Sequence, residues 1–299
     1  MNKRSIRHVM CPIPQFPASF ALFSGASPRR IKRAVVFVHG FNGSAHSTWT
    51  DFVGLIDTDS ITSGWWNTVD LYFFDYHKQS VFEQVARNTV TLAEFIEFIW
   101  PVPSESLTAL FEEVLRIDFS YEEITLVGHS EGGLLVRKVI LEAARYDIRL
   151  ENYRLLHDRR GSLEPQPEGI LKADLRLFAP AIAGEAISGI LGILGSLPIV
   201  SNFVRGSSAK QSLASESVSV SAARKATEEY TEYLTMNCFR AHILWADHDS
   251  VVICEPYQRD RVCRKPPLDT SHVSVCKPSK EYILPITFIE KGVIDGKCE

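Results

Sequence analysis

No Cys-x-x-Cys pair occurs in the chain, and none of its six cysteines clusters with histidine at zinc-site spacing. No metal or cofactor is therefore expected. Cys238, Cys254, Cys263, Cys276 and Cys298 lie near the C-terminus, and Cys11 near the start. A chain of 299 residues folds without disulfides, so free thiols in a reducing compartment are the favoured expectation. A disulfide among Cys254, Cys263 and Cys276 is the less favoured one. Charge of neither sign dominates: 32 basic and 36 acidic residues are interspersed, for a net charge of −4. The lack of a basic stripe argues against nucleic-acid binding, and the lack of an acidic run against a disordered tail. No internal repeat or low-complexity tract is visible. The basic N-terminus has no continuous apolar run behind it, because Pro12, Pro14 and Pro17 interrupt it. A secretory signal is thus not expected, and a cytoplasmic protein is.

What is present is a serine set in a sharp turn. Residues 124–133 read Ile-Thr-Leu-Val-Gly-His-Ser-Glu-Gly-Gly, a short apolar strand running into Gly-x-Ser-x-Gly and then into a helical pattern. Gly128 and Gly132 flank Ser130 at two-residue spacing, as a turn without room for side chains requires. Such a turn lifts the serine hydroxyl above the end of a sheet. The five-residue pattern arises by chance fairly often, and the strand before it and the helix after it give it weight.

The rest of the chain supplies that context. Apolar runs at 34–39, 69–74, 124–128, 175–179 and 241–246 fit strands buried on both faces of a parallel sheet. Helical periodicity separates them at Ser80–Trp100, Gly133–Arg149 and Ala222–Leu234, and more weakly at Ser279–Glu290. Strands alternating with helices predict an α/β fold with a mostly parallel central sheet and right-handed crossovers. Sites in such sheets form beyond the carboxyl ends of the strands. Gly40, Ser130 and Asp249 each follow an apolar run, so all three are expected at one edge. The domain is expected over 31–299, with 1–30 as an N-terminal extension. The hydrophobic content of 45% is ample for one such core.

Two stretches break the alternation. Residues 150–169 read as a solvated loop. Residues 181–206 carry no charge between Glu185 and Arg205, but Gly189, Gly192, Gly195 and Pro198 argue against a membrane span. A lid or cap inserted over 181–216 is expected, with a glycine-rich buried helix as its equal rival and a transient membrane contact through 181–204 as a third reading.

A serine hydroxyl is a weak nucleophile, so it needs a base within hydrogen-bond reach and an acid to orient that base. Behind this kind of turn the acid and then the histidine follow in chain order. Asp247 and Asp249 follow the fifth strand, and Asp249 is favoured for its place beside Ser250 and the re-entering Val251–Val252. His242 lies within a strand, and His248 stands between the two aspartates. His272, in Asp-Thr-Ser-His-Val-Ser-Val, is the expected base, on a loop able to swing over Ser130. His129 is expected to pack beneath the turn without a chemical role. An oxyanion needs N–H donors, expected from Glu131 and from Phe41 in His-Gly-Phe-Asn-Gly. The Glu131 carboxylate is expected either to raise the pKa of His272 or to point to solvent. Trp49, Trp65 and Trp66 are weak candidates for the wall of an acyl pocket.

VVFVHGFNGS at 35–44, FFDY at 73–76, LVGHSEGGLLVRK at 126–138, LFAP at 177–180, ADHDSVV at 246–252 and SHVSVCKP at 271–278 together resemble the α/β-hydrolase superfamily. Within it the chain most resembles the serine esterase/lipase group that includes the SERAC1-like and PGAP1-like hydrolases. The resemblance spans roughly residues 33–290. It implies Ser130 as nucleophile, Asp249 as triad acid, His272 as base, and Phe41 and Glu131 as oxyanion donors. Glu131 departs from the Met or Gln these enzymes often carry. The expected activity is hydrolysis of a carboxylic ester, on a small-molecule or lipid substrate, through an acyl-enzyme. A non-catalytic ligand-binding or scaffold protein, and a peripheral membrane phospholipid or thioester hydrolase, are the alternatives.

Overall fold

Apolar runs too short for helices become the strands of a sheet covered on both faces. The computed structural model describes residues 8–25, 31–56, 64–76, 84–110, 119–157, 169–183, 220–231, 237–263 and 267–292. Among these residues, β1 (His8–Pro12), β2 (Phe20–Ser24), β3 (Arg33–Val38), β4 (Val69–Phe74), β5 (Glu123–His129), β6 (Asp174–Phe178), β7 (His242–Leu244) and β8 (Arg261–Val262) form one sheet. Its order is β1-β2-β4-β3-β5-β6-β7-β8. Pairing is parallel from β4 through to β8, while β2 is antiparallel to both of its neighbours. The five expected strands are β3 to β7.

β3 lies at the centre, with Val38 opposite Phe74 on one side and Gly128 on the other. That register brings the carboxyl ends of β3, β4 and β5 to one edge. Aromatic rings fill the layer beside it. Phe37 stacks on Phe73 with centroids 4.7 Å apart, and Phe73 stacks on Phe20 at 4.6 Å. Trp49 is fully buried against Phe37 and Phe52, and Trp66 is buried beside Phe52. Trp65 packs edge-on to Trp66 under the Arg33 guanidinium. Trp49 and Trp66 therefore belong to the core, and their large apolar area stabilises the sheet rather than walling a pocket.

The sheet begins upstream of residue 31. The stretch expected as an extension contributes β1 and β2, with His8 paired to Ser24 and Pro12 to Phe20. Pro12 ends β1 at the sheet's edge, where its missing N–H costs no ladder bond. Pro12, Pro14 and Pro17 thus punctuate a hairpin.

Helices cover both faces: α1 (Ala45–Ile56), α2 (Gln84–Ile99), α3 (Glu105–Leu110), α4 (Glu131–His157), α5 (220–231) and α6 (Leu284–Lys291). In α1, Ala45, Thr48, Trp49, Phe52, Leu55 and Ile56 are buried at helical spacing. α4 runs to His157, past the expected end at Arg149, because no glycine or proline interrupts it before Gly161. The expected loop at 150–169 is helical over 150–157. α6 starts at Leu284 rather than Ser279, since Pro285 suits a first turn, and Gly292 closes it with φ +67°. The lid or cap candidate at 181–216 falls, beyond Ala183, outside the described residues. No described helix is long and apolar enough to cross a membrane. Eight strands, mostly parallel and flanked by helices in this order, make an α/β-hydrolase fold.

Candidate active site

β5 ends at His129 and α4 begins at Glu131, so Ser130 is the whole connection between them. It carries φ +53°, a left-handed conformation unusual for a residue with a side chain. Its N–H donates to Phe178 O at 3.1 Å, and its carbonyl accepts from Gly133 N and Ala181 N, both at 3.0 Å. The end of β6 thus grips the turn from the side. The flanking glycines serve space rather than φ. A Cβ on Gly132 would sit 2.5 Å from the His39 carbonyl oxygen, and one on Gly40 would sit 2.7 Å from Ser130 Cβ. The backbone after β3 is therefore packed directly against the serine.

Asp249 and His272 come together, although 23 residues separate them. His272 Nδ1 lies 2.9 Å from Asp249 Oδ2, with both side chains buried. Asp249 Oδ1 accepts from the N–H groups of Val251 at 2.9 Å and Val252 at 3.1 Å. Burial alone pushes this carboxyl up, but the His272 hydrogen bond and charge and the two backbone donors outweigh it. Its pKa ends below the ordinary carboxylate value, so Asp249 is ionised at neutral pH and fixes Nδ1 of His272 as the donor. Asp247 instead lies 3.3 Å from the exposed ring of His248 and accepts from Asp269 N. His242 is buried in β7 next to Arg261, where burial and the Arg176 charge lower its pKa to about 4.

The loop that carries His272 is tied down rather than free to swing. Thr270 Oγ1 donates to Pro267 O at 2.5 Å and accepts from Asp247 N at 3.1 Å. Thr270 O accepts from His248 N at 3.0 Å, and Ser271 pairs with His248 as an isolated bridge. Ser271 and Ser274 hydrogen-bond one another, and Val275 N donates to Ser271 O at 3.0 Å. A buried threonine thereby clamps the Asp249 loop to the His272 loop.

Phe41 lies in a tight turn after β3, closed by Gly43 N donating to Gly40 O at 3.0 Å, with Asn42 at φ +55°. Asp75, just past β4, accepts from Ala45 N at 2.6 Å and so holds the start of α1 below this turn. Tyr76 completes the support. Its hydroxyl lies 2.9 Å from His39 O and 3.4 Å from Glu131 Oε2, and its ring stacks on His39 at 4.1 Å. The Glu131 carboxylate is buried and faces Tyr76. Of the two expectations for it, pointing to solvent does not describe it. Glu131 also opens α4, where the helix dipole favours a negative side chain and the first N–H groups lack intrahelical acceptors.

Tyr76, Thr270 and the ring of His129 are the supporting residues that the sequence patterns missed. Tyr76 had a usable signal, since it follows an apolar run at the same sheet edge. Thr270 and His129 had none, because their partners are distant in sequence. Among the described residues, no three His, Cys, Asp or Glu side chains group to hold a metal ion, and Cys254, Cys263 and Cys276 are free thiols.

No family model matches the sequence, and no curated protein matches it significantly. The chain is similar to a Bacillus licheniformis lipase, BlEst2 in its mature form, at 16% identity and a TM-score of 0.46, over 87% of this chain and 91% of that one. It is similar to the 2-hydroxy-6-oxo-6-phenylhexa-2,4-dienoate hydrolase of Rhodococcus sp. strain RHA1 at 13% identity and a TM-score of 0.46, over 95% and 98% of the two chains. A membrane phospholipase A described as a bacterial virulence factor is similar at 15% identity and a TM-score of 0.44, over 96% and 86%.

Proposed function

We propose that the chain is a serine hydrolase that cleaves a carboxylic ester through an acyl-enzyme. The observation that carries this reading is the buried Asp249–His272 hydrogen bond of 2.9 Å at the sheet edge where Ser130 stands in its left-handed turn. Ser130 Oγ attacks the ester carbonyl carbon, and His272 Nε2 takes the hydroxyl proton. The carbonyl oxygen becomes an oxyanion, held by the N–H groups of Phe41 and Glu131. Each donor of this kind contributes about 3–4 kcal/mol to the transition state. The tetrahedral intermediate collapses, the C–O bond to the alcohol breaks, and His272 returns its proton to the departing oxygen. Water then attacks the acyl-serine with His272 as base, and the acid leaves as Ser130 regains its proton. Asp249 stays ionised throughout and stabilises the imidazolium without taking its proton.

The substrate class in this reading is a small-molecule or lipid ester, and contact of 181–204 with a membrane is part of the lipid version. Turnover of p-nitrophenyl esters of graded chain length, compared between wild type and Ser130→Ala, tests the reaction. Equal rates in the two proteins would overturn it. Labelling by a fluorophosphonate probe that depends on Ser130 separates an enzyme from a ligand-binding protein on the same fold.

A further inference from the structure

His129 Nε2 lies 2.8 Å from the main-chain carbonyl oxygen of His272, closing a sequence separation of 143 residues. Its ring centroid is 5.0 Å from that of His272. We propose that His129 is a positioning residue: its hydrogen bond to the His272 carbonyl holds the base in register with the adjacent Ser130. The proposal rests on the reading of Ser130 and His272 as nucleophile and base.

Hydrogen-bond chemistry fixes the tautomer. A carbonyl oxygen can only accept, so Nε2 of His129 must carry the proton. Burial, with the nearby His272 charge adding to it, lowers the His129 pKa to about 3, so the ring is neutral at working pH and Nδ1 is bare. His272, Asp249 and His39 are the titratable groups that face it. Neutrality matters because His272 becomes an imidazolium during the reaction, and a second cation at this distance would oppose it.

Geometry supplies the rest. His272 is held at its ring by Asp249, and the residues just before it are held by Asp247 and His248 through Thr270. Those contacts fix it relative to β7, not relative to Ser130. The His129 bond provides that link, because His129 and Ser130 share a peptide bond. Displacement of the end of β5 would then carry the His272 main chain with it. Small errors in such a relation are expensive, since a shift of about 1 Å can cost on the order of 100-fold in rate.

Two variants of matched length separate a donor from mere packing. His129→Gln keeps an N–H at the same number of bonds from Cβ, and His129→Met does not. Expected for Met is a fall in kcat on the order of 100-fold with KM nearly unchanged, together with loss of the low-field imidazole proton of the His272–Asp249 bond. Gln should recover most of the rate and that proton signal. Met and Gln variants equal in kcat, whether both active or both impaired, would overturn the proposal, since only the donor distinguishes them. Nitrogen-15 shifts of wild-type His129 give a reading that needs no variant to fold. The neutral Nε2–H tautomer is expected, and the Nδ1–H tautomer would overturn the bond. If wild type turns over no ester and takes no fluorophosphonate, the hydrolase reading fails. The tautomer and the His272–Asp249 proton then still decide whether His129 positions His272.

Discussion

Ser130 holds φ +53°, a conformation that costs a non-glycine residue on the order of 1–3 kcal/mol. The hydrogen bond that Ser130 N donates to Phe178 O, and those its carbonyl accepts from Gly133 N and Ala181 N, offset that strain. Loss of the serine hydroxyl in Ser130→Ala, or of the imidazole in His272→Ala, should lower kcat by roughly 10^4–10^6-fold without unfolding the protein. Steady-state ester kinetics alongside circular dichroism would check both. Asp249→Asn keeps the shape but presents an amide to Nδ1, and should cost about four orders of magnitude in kcat. Tyr76→Phe deletes the hydroxyl that lies against the His39 carbonyl. It should cost about 1 kcal/mol of stability and slow catalysis, because the adjoining turn carries the Phe41 N–H. Thermal unfolding and kcat measured on the same preparation would show whether both effects appear.

At the scale of elements, the site is assembled by the ends of five strands and two loops. The end of β3 and the start of α4 approach so closely that Gly132 faces the carbonyls of Val38 and His39 without a side chain between them. Gly132→Ala should therefore push these elements apart, destabilise the protein by at least about 1–3 kcal/mol and abolish labelling of Ser130. A denaturant midpoint unchanged from wild type would contradict this. The Thr270 hydroxyl is one of several links between the Asp249 and His272 loops, beside the His248 N–H bond to Thr270 O and the His248–Ser271 bridge. Thr270→Val preserves shape but leaves the Asp247 N–H without its acceptor, at a cost of about 1–3 kcal/mol. Reduced probe labelling at unchanged secondary structure would mark the effect as local. The elements that sequence periodicity found, β3 to β7 and α2, α4, α5 and α6, are those with apolar runs or faces. α1 was legible in hindsight from its buried spacing. β1 and β8 were not, because as edge strands they bury too little to leave a continuous apolar run, whereas β2 lies inside the sheet and its short buried run at Phe20–Phe23 carried a usable signal.

For the whole molecule, pH sets opposing demands through three buried groups. Burial lowers His129 to about 3 and His242 to about 4, from an ordinary 6.5. The unfolded chain protonates these rings first, so their share of stability is complete above pH 6.5 and is lost as pH falls. Burial in β4 raises Asp70 to about 6 from 3.8, against the bonds from Ser24 N and Tyr121 Oη. There the native state keeps its proton longer, so the Asp70 share is present below pH 3.8 and is lost as pH rises through 6. A pKa that differs by one between the folded and unfolded chain corresponds to about 1.4 kcal/mol. The two histidines outweigh the one aspartate, so unfolding by urea should become easier from pH 7 to pH 5. Asp70→Asn, which removes the opposing group, should steepen that loss. A shallower loss in the variant would contradict this sign.

Strand and helix periodicity, the turn around Ser130, and the order of acid and histidine behind it could all be read from the chain, because each depends on residues near one another or on chain order. That order, with the place of Asp249 beside Ser250, favours Asp249 over Asp247 and points to His272; the fold shows these two side chains hydrogen-bonded. The destination of side chains does not. The sequence makes Trp49 and Trp66 weak candidates for a pocket wall, and packing puts them in the core; it leaves Glu131 open between acting on His272 and pointing to solvent, and the buried carboxylate meets Tyr76. The hairpin at 8–24 read as an extension and completes the sheet. These outcomes depend on which surfaces meet when distant segments pack, and one-dimensional spacing carries no record of that. The contact between His129 and His272 is the clearest case, since 143 residues of chain must fold before its two atoms come within 2.8 Å.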